Sequence, residues 1–382
     1  MNTHLLLCAI CALAIGCAAE PSAHVCADPP REVVVHASAS IVPKPAAPSA
    51  QPRLVRSETP APALAGPAAA PADALLASLA TLTPDTREAL LAQRAMLKRQ
   101  RGNRTYRIGG RTLTKHDFVR VIDDLLSGRY LIDAPGAQAV APRADVRFTG
   151  YYSPEVDVSR RRTKTYRYPI LAYPKAHEGP LPSRRDIELA DSLDAKRLAI
   201  AWAKHPLDVY TLQLQGSGFV RFRDGQRRYL AYGGTNRYPY QSIELAAARL
   251  DSTLTDLSLR GLRDWIDADP RRRDTITTLN PNYGFFRLAE GRARGAVGVS
   301  LTPMMSVAAD PLYYPLGSVL LARVPDPSAP GSFTTRLLLV QDTGGAVKGP
   351  AHLDLYTGVG EPALDLAEVL NATGQVYLLS PR

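Results

Sequence analysis

Asp342 and Asp354 stand twelve positions apart in the run Leu337-Leu338-Leu339-Val340-Gln341-Asp342-Thr343-Gly344-Gly345-Ala346-Val347-Lys348-Gly349-Pro350-Ala351-His352-Leu353-Asp354-Leu355-Tyr356. An apolar strand delivers Asp342 into a Gly-rich turn, and a second strand brings Asp354 back beside it in a hairpin-like unit. Strand side chains alternate, so His352 and Asp354 share one face and Leu353 and Leu355 the other. Two carboxylates held near each other suit acid–base work. In such a pair, burial or the neighbour's charge can keep one carboxyl protonated, ready to donate. Asp beside Gly is equally an ordinary turn residue, so these residues alone leave a purely structural role open.

Other chemistries find little support. The four cysteines (Cys8, Cys11, Cys17 and Cys26) all lie in the first 26 residues. The folded part is therefore expected to hold no disulfide, thiol nucleophile or cysteine zinc site. None of the seven histidines forms a metal-ligand pair such as HExxH. Neither a metal nor an organic cofactor is expected.

The elements that must position the aspartates can be read from periodicity. Ala72 to Arg99 carries Leu and Ala at helical spacing, broken at Pro84, which predicts two helices, the second capped near Thr83. Arg104–Arg111 predicts a hairpin around Gly109-Gly110. Thr114 to Leu126 predicts a helix with Thr114 as N-cap and Phe118, Val121, Ile122 and Leu125 on one face. From Val146 short β-branched and aromatic runs alternate with turns: VRFTGYYSP, RYPILAYP, VYTLQLQGSGFVRF and RRYLAYGG predict strands. Helical pattern returns over Tyr240–Ile266. Strands resume after Asn280 with YGFFRL, AVGVSL, GSVLLARV, TRLLLVQD, HLDLY and GQVYLLS. The order predicts a helix-decorated β domain with another β domain inserted.

Length and charge bound the partners. The 382 residues suit about two domains, and 45% apolar content supports a sizeable core. The net charge of +10 fits an anionic partner such as an acidic cell-wall polymer or lipid surface, or solubility alone. The basic residues are dispersed and do not interleave with aromatics, so nucleic acid is disfavoured. Leu5–Gly16 is an apolar run of signal-peptide length, ending at Cys17 after small residues. It resembles a lipoprotein lipobox with Cys17 as the acylated residue, although Ala14 stands where Leu is usual; a simple cleaved signal is the alternative. Either implies export. The Ala/Pro-rich stretch that follows reads as a semi-stiff linker.

The segment around Asp342 and Asp354 resembles the C-terminal three-aspartate (3D) domain of the MltA-type lytic transglycosylases. In that family an Asp-x-Gly-Gly-Ala-Ile-Lys-Gly run precedes a second Asp before an aromatic. Asp310 in Ala309-Asp310-Pro311-Leu312-Tyr313-Tyr314-Pro315-Leu316-Gly317 fits the third aspartate. Asn280-Pro281-Asn282-Tyr283-Gly284-Phe285-Phe286, Phe148-Thr149-Gly150-Tyr151-Tyr152-Ser153-Pro154, Leu181-Pro182-Ser183-Arg184 and Gln213-Leu214-Gln215-Gly216-Ser217-Gly218 match in order. The resemblance covers about Thr149 to the C-terminus.

This resemblance implies a mainly β fold with helices: a double-psi β-barrel domain, an inserted second β-barrel-like domain, and a groove between them. The chain is then expected to divide into a signal peptide and lipobox (1–17), an Ala/Pro linker (18–71), the helical part of the barrel domain (72–150), the inserted β domain (151–275) and the 3D barrel (276–382). The resemblance also implies that peptidoglycan glycan strands are the substrate. Asp354 would be the catalytic acid, with Asp342 and Asp310 as supporting carboxylates. Thr149, Gly150, Tyr151, Tyr152, Gln213, Gln215 and Ser217 are candidate sugar contacts, and Lys348 a candidate for a lactyl or peptide carboxylate. Packing for Tyr151-Tyr152, a tight turn for Gln215-Gly-Ser-Gly and a solvated charge for Lys348 are the alternatives, and Phe285-Phe286 reads as core. The expected protein is a monomer, anchored through Cys17 on the periplasmic side of the outer membrane or free in the periplasm. A hydrolase on the same barrel and a non-catalytic wall-binding lipoprotein remain as alternatives.

Overall fold

The structure, a computed structural model, describes residues 82–382 apart from 109, 129–136, 139–144, 330, 346 and 382, together with Leu75 and Leu79. Cys17, the linker and the first helix expected after Ala72 lie outside the described residues. The elements are α1 (Pro84–Arg99), β1 (Thr105–Ile108), β2 (Arg111–Thr114), α2 (Lys115–Leu126), β3 (Ala137–Gln138), β4 (Val146–Ser153), β5 (Glu155–Ser159), β6 (Tyr168–Leu171), α3 (Arg184–Leu189), α4 (Ala195–Leu198), β7 (Ala199–Ala203) and α5 (Pro206–Gln215). They continue with β8 (Gly218–Phe222), β9 (Arg227–Thr235), α6 (Ile243–Leu250), α7 (Leu259–Ala268), β10 (Gly284–Ala289), β11 (Ser306–Ala308), β12 (Val319–Pro325), β13 (Phe333–Asp342), β14 (His352–Val359), α8 (Glu361–Val369) and β15 (Asn371–Leu379).

The helix starts follow local chemistry. The Thr83 hydroxyl accepts from Thr86 N and Pro84 opens α1, which suits a position whose N–H has no helical partner. Thr114 and Asp117 form a reciprocal capping box at α2. Phe118, Val121, Ile122 and Leu125, the expected face, are buried. With α1 they pack on the largest core cluster, filled by Leu and Val from β12, β13 and β14.

Two sheets organise the body. The first runs β12-β13-β11-β14-β4-β15-β3, and an additional β12–β15 pairing closes six of its strands into a ring. Closure removes the open sheet edges that otherwise invite aggregation. The second runs β10-β9-β8-β5-β7-β6, and a bridge between Ala172 and Phe286 links its outer strands. The chain is thus mainly β with helices, in two barrel-like sheets. It leaves the first sheet at Ser153, and β10, which sequence grouped with the barrel, pairs with β9 in the second.

Three expectations are corrected. The run Val209–Gln215 is not strand but the body of α5. His205 Nδ1 accepts from Leu207 N at 3.2 Å, Asp208 reaches back to His205 N, and Pro206 sits in the first turn. The helix buries Leu207, Val209, Tyr210, Thr211 and Leu212 together, and such all-round burial erases a helical polar stripe. Ala296–Leu301 forms no strand, only a single bridge between Arg294 and Ser300; Gly298 there adopts a left-handed φ of 79°. Finally, β13 and β14 do not form a hairpin. The short strand β11 lies between them, parallel to β13 and antiparallel to β14.

Candidate active site

The interposed strand fixes where the aspartates stand. Ala308 of β11 is the register partner of Asp342 on one side and of Asp354 on the other. Asp354 is in turn paired with Thr149 of β4, and Thr149 with Asn371 of β15. The two aspartates therefore sit on one level of the barrel, two strand spacings apart, or about 10 Å between backbones. As the alternation required, Leu353 and Leu355 are fully buried in the core, while His352 and Asp354 are half-buried.

Asp354 belongs to a three-member hydrogen-bonded chain. The Thr149 hydroxyl donates to Asp354 Oδ1 at 2.8 Å and lies 2.9 Å from His352 Nε2. A hydroxyl carries one proton. With that proton directed at an ionised Asp354, His352 must donate from Nε2. Thr149 is 1% exposed, so its orientation is set by packing. Gly150 follows because α8 crosses β4 too closely for a side chain: an added Cβ would lie 2.6 Å from Ala367 Cα.

The other two aspartates are committed to backbone amides. Asp342, 6% exposed, accepts from Ala296 N at 3.0 Å and Thr343 N at 2.9 Å on Oδ1, and from the Tyr151 hydroxyl at 3.1 Å on Oδ2. Asp310, 5% exposed, accepts from Leu312 N at 3.0 Å and Gly349 N at 2.9 Å. It thereby ties its own turn to the loop bearing Lys348, which is exposed. Tyr151 also packs on Tyr356, ring centroids 5.3 Å apart. Burial pushes the Tyr356 phenol up to about 12, tempered by its hydrogen bond with Ser153, so it stays neutral at physiological pH.

A cavity of about 460 Å³ opens between the two sheets. Tyr151, Tyr152, Gln215, Ser217 and Asp342, all named from sequence, line it. Gln213 does not: its amide donates to Gly284 O at 2.9 Å and braces β10. Asp354, Thr149, Asp310 and Lys348 are not among the lining residues. Phe285 and Phe286 are core, as expected. Sequence missed Arg287, Arg294, Tyr229 and Tyr232 in the wall. A register shift between Phe285 and Phe286 sends both rings inward and turns Arg287 out, which simple alternation cannot foresee. Among the described residues no group of three or more His, Cys, Asp or Glu is arranged to hold a metal.

Comparison with known proteins gives this arrangement its family. The model of the MltA specific insert domain matches residues 147–287, and that of the 3D domain matches residues 305–380. Membrane-bound lytic murein transglycosylase A of Vibrio cholerae is 36% identical over 233 residues, covering 58% of this chain and 61% of that protein. The Escherichia coli protein of the same name is 33% identical over 259 residues, covering 65% and 69%. The chain thus spans less than two thirds of the Vibrio relative's length. Among solved structures, a membrane-bound lytic murein transglycosylase from Agrobacterium tumefaciens superposes with a TM-score of 0.66 at 25% identity, covering 78% of this chain and 93% of that one. Escherichia coli MltA with bound chitohexaose gives 0.64 at 25% identity, covering 78% and 90%. The chain belongs to the family of the membrane-bound lytic murein transglycosylases A.

Proposed function

We propose that this chain is a peptidoglycan lytic transglycosylase that cuts the β-1,4 bond between N-acetylmuramic acid and N-acetylglucosamine with Asp354 as its single acid and base. The observation that carries this reading is the half-buried position of Asp354, with its carboxylate held by the Thr149 hydroxyl. Asp342 and Asp310 each hold backbone amides that shape the barrel mouth, whereas Asp354 is the half-buried one, oriented by a side-chain hydroxyl. Family membership and the chitohexaose bound by the Escherichia coli relative support a glycan substrate.

Protonated Asp354 donates to the bridging oxygen as the C1–O bond breaks and positive charge builds on the muramic ring. The muramic C6 hydroxyl then attacks C1, and its proton passes to the Asp354 carboxylate. The products are a 1,6-anhydro end and a free 4-hydroxyl, with the acid regenerated. An ordinary glycosidase needs a second carboxylate as nucleophile or as base for water. Here the nucleophile is part of the substrate, so its delivery costs little entropy. Thr149 positions Asp354 by donating to Oδ1, and its oxygen accepts from His352 Nε2. Tyr151, Tyr152, Gln215 and Ser217 would contact sugars in the cavity; the side-chain position of Gly150 is taken by Ala367 of α8 and does not face it. Lys348 would meet a lactyl or peptide carboxylate.

The same reading extends to the rest of the chain. The closed six-stranded ring, with parallel pairs β11–β13 and β14–β4, supports a double-psi barrel carrying an inserted second barrel. The relatives are membrane-bound lytic murein transglycosylases, which supports a lipid anchor at Cys17 and a place on the periplasmic side of the outer membrane. We read the protein as a monomer. Mass spectrometry of purified peptidoglycan digested with the full chain tests the reaction. Anhydro ends support it; reducing ends would replace it with the hydrolase; wall binding without products would replace it with a scaffold.

A further inference from the structure

A second concavity, of about 450 Å³, lies in the second sheet's half of the molecule and shares no lining residue with the cavity beside Asp342. Its volume falls within the usual range of small-ligand sites, about 300–1,000 Å³. Strands β6 and β7, helices α3 to α5 and the segment 273–277 form it. Trp202 and Tyr283 line it, but at 7% and 1% exposure they offer a wall and not a face on which a sugar could stack.

The charges around this wall are unequally paired. Asp274 is held by Arg167 at 2.9 Å and Glu188 by Arg184 at 2.8 Å. Asp191 accepts from Ala195 N at 2.7 Å, which fixes the rim residue next to Lys196. Arg273 is engaged by Asp267. Arg162 and Lys196 also line the concavity, are exposed, and have no partner among the described residues. The site therefore combines an apolar wall with two exposed cations, Arg162 and Lys196, against one exposed carboxylate that has no ion-pair partner among the described residues, Asp191, a surplus of one positive charge at its rim. That pattern suits a small ligand with methyl groups along its length and free carboxylates.

We infer that this concavity binds the carboxylate-bearing stem peptides of peptidoglycan, away from the scissile bond. The inference rests on the proposed wall substrate and adds a second, peptide contact to it. Stem peptides carry alanine methyls and free carboxylates on a short chain, so they match both the wall and the rim. Peptide capture here would hold the enzyme on wall that still bears stems, while the glycan cavity engages the strand being cut.

The test uses the full chain and a free stem tetrapeptide containing D-Glu and a C-terminal D-Ala, titrated by calorimetry with Trp202 emission as a second readout. Wild type should bind, more weakly as salt rises. R162E/K196E should bind at least ten-fold more weakly, while chitohexaose binding and cleavage of peptide-free glycan stay unchanged. The charge-matched control R101E/R104E, at exposed positions outside the concavity, should bind the peptide like wild type. Absence of tetrapeptide binding by wild type, equal binding by R162E/K196E, or equal loss in the control would each overturn the inference. Charge-dependent peptide binding by a chain that cuts no glycan would uphold this site and count against the catalytic proposal alone.

Discussion

Thr149→Val isolates the contact on which the proposed acid depends. The change keeps a β-branched side chain in a strand and removes only the hydroxyl, which donates to Asp354 Oδ1 at 2.8 Å. A hydrogen bond to a charged group contributes about 1.5–3 kcal/mol. If that bond holds Asp354 in its productive orientation, its loss lowers kcat about 10- to 150-fold, at 1.36 kcal/mol per decade. The assay is anhydro-end release from purified glycan strands, with thermal unfolding to confirm the fold. Thr149→Ser restores the hydroxyl and should recover most of the rate. A folded Thr149→Val enzyme within two-fold of wild type would refute a role for this bond.

Other perturbations reach different parts of the molecule. Gly150→Ala places a Cβ 2.6 Å from Ala367 Cα; overpacking of this kind costs about 1–3 kcal/mol. By shifting β4 it should also lower kcat, so a variant with wild-type Tm and rate would contradict the tight α8–β4 crossing. Burial raises the Glu244 carboxyl, whose Oε2 accepts from Ser242 at 2.7 Å. A carboxyl with a raised folded pKa favours the native state least once pH exceeds its unfolded value, about 4.3. Glu244→Gln should therefore raise Tm at pH 8 and leave it nearly unchanged at pH 4; a pH-independent difference would count against this. Arg184, 1% exposed, donates to Asn280 O and Asn282 O and pairs with Glu188. Arg184→Met should cost about 3–5 kcal/mol in denaturant unfolding, as expected when one partner of a buried pair is removed, and a loss under 1 kcal/mol would show the network to be dispensable.

The sequence showed some layers of this molecule more clearly than others. The helix over Pro84–Arg99, its Thr83 cap and the hairpin strands Thr105–Ile108 and Arg111–Thr114 were legible because caps, glycines and periodicity are local signals. The strands carrying Thr149, Asp342 and Asp354 were legible as short β-branched, aromatic or apolar runs bounded by Gly and Pro turns. Their neighbours were not. Ser306–Ala308 has only three residues, too few for a period, yet it separates the two aspartate strands and sets their spacing. The pairing of His352 and Asp354 with Thr149 spans some 200 residues of chain and leaves no local trace. Helix α5 was read as strand because its apolar residues are buried on all sides. Gln213 looked like a sugar contact by its amide and proves to be a brace, a distinction only tertiary packing makes.

The central claim is that one carboxylate, Asp354, performs both proton transfers. The most direct measurement compares wild type, Asp354→Asn and Asp342→Asn by mass spectrometry of digested peptidoglycan, with glycan pull-down alongside. Removing a general acid should lower the rate by at least about 10²-fold. Asp354→Asn is thus predicted to release essentially no anhydro-muropeptides while still binding the wall, and Asp342→Asn to retain measurable release. Anhydro products from Asp354→Asn at the wild-type rate, or their abolition only in Asp342→Asn, would contradict the account.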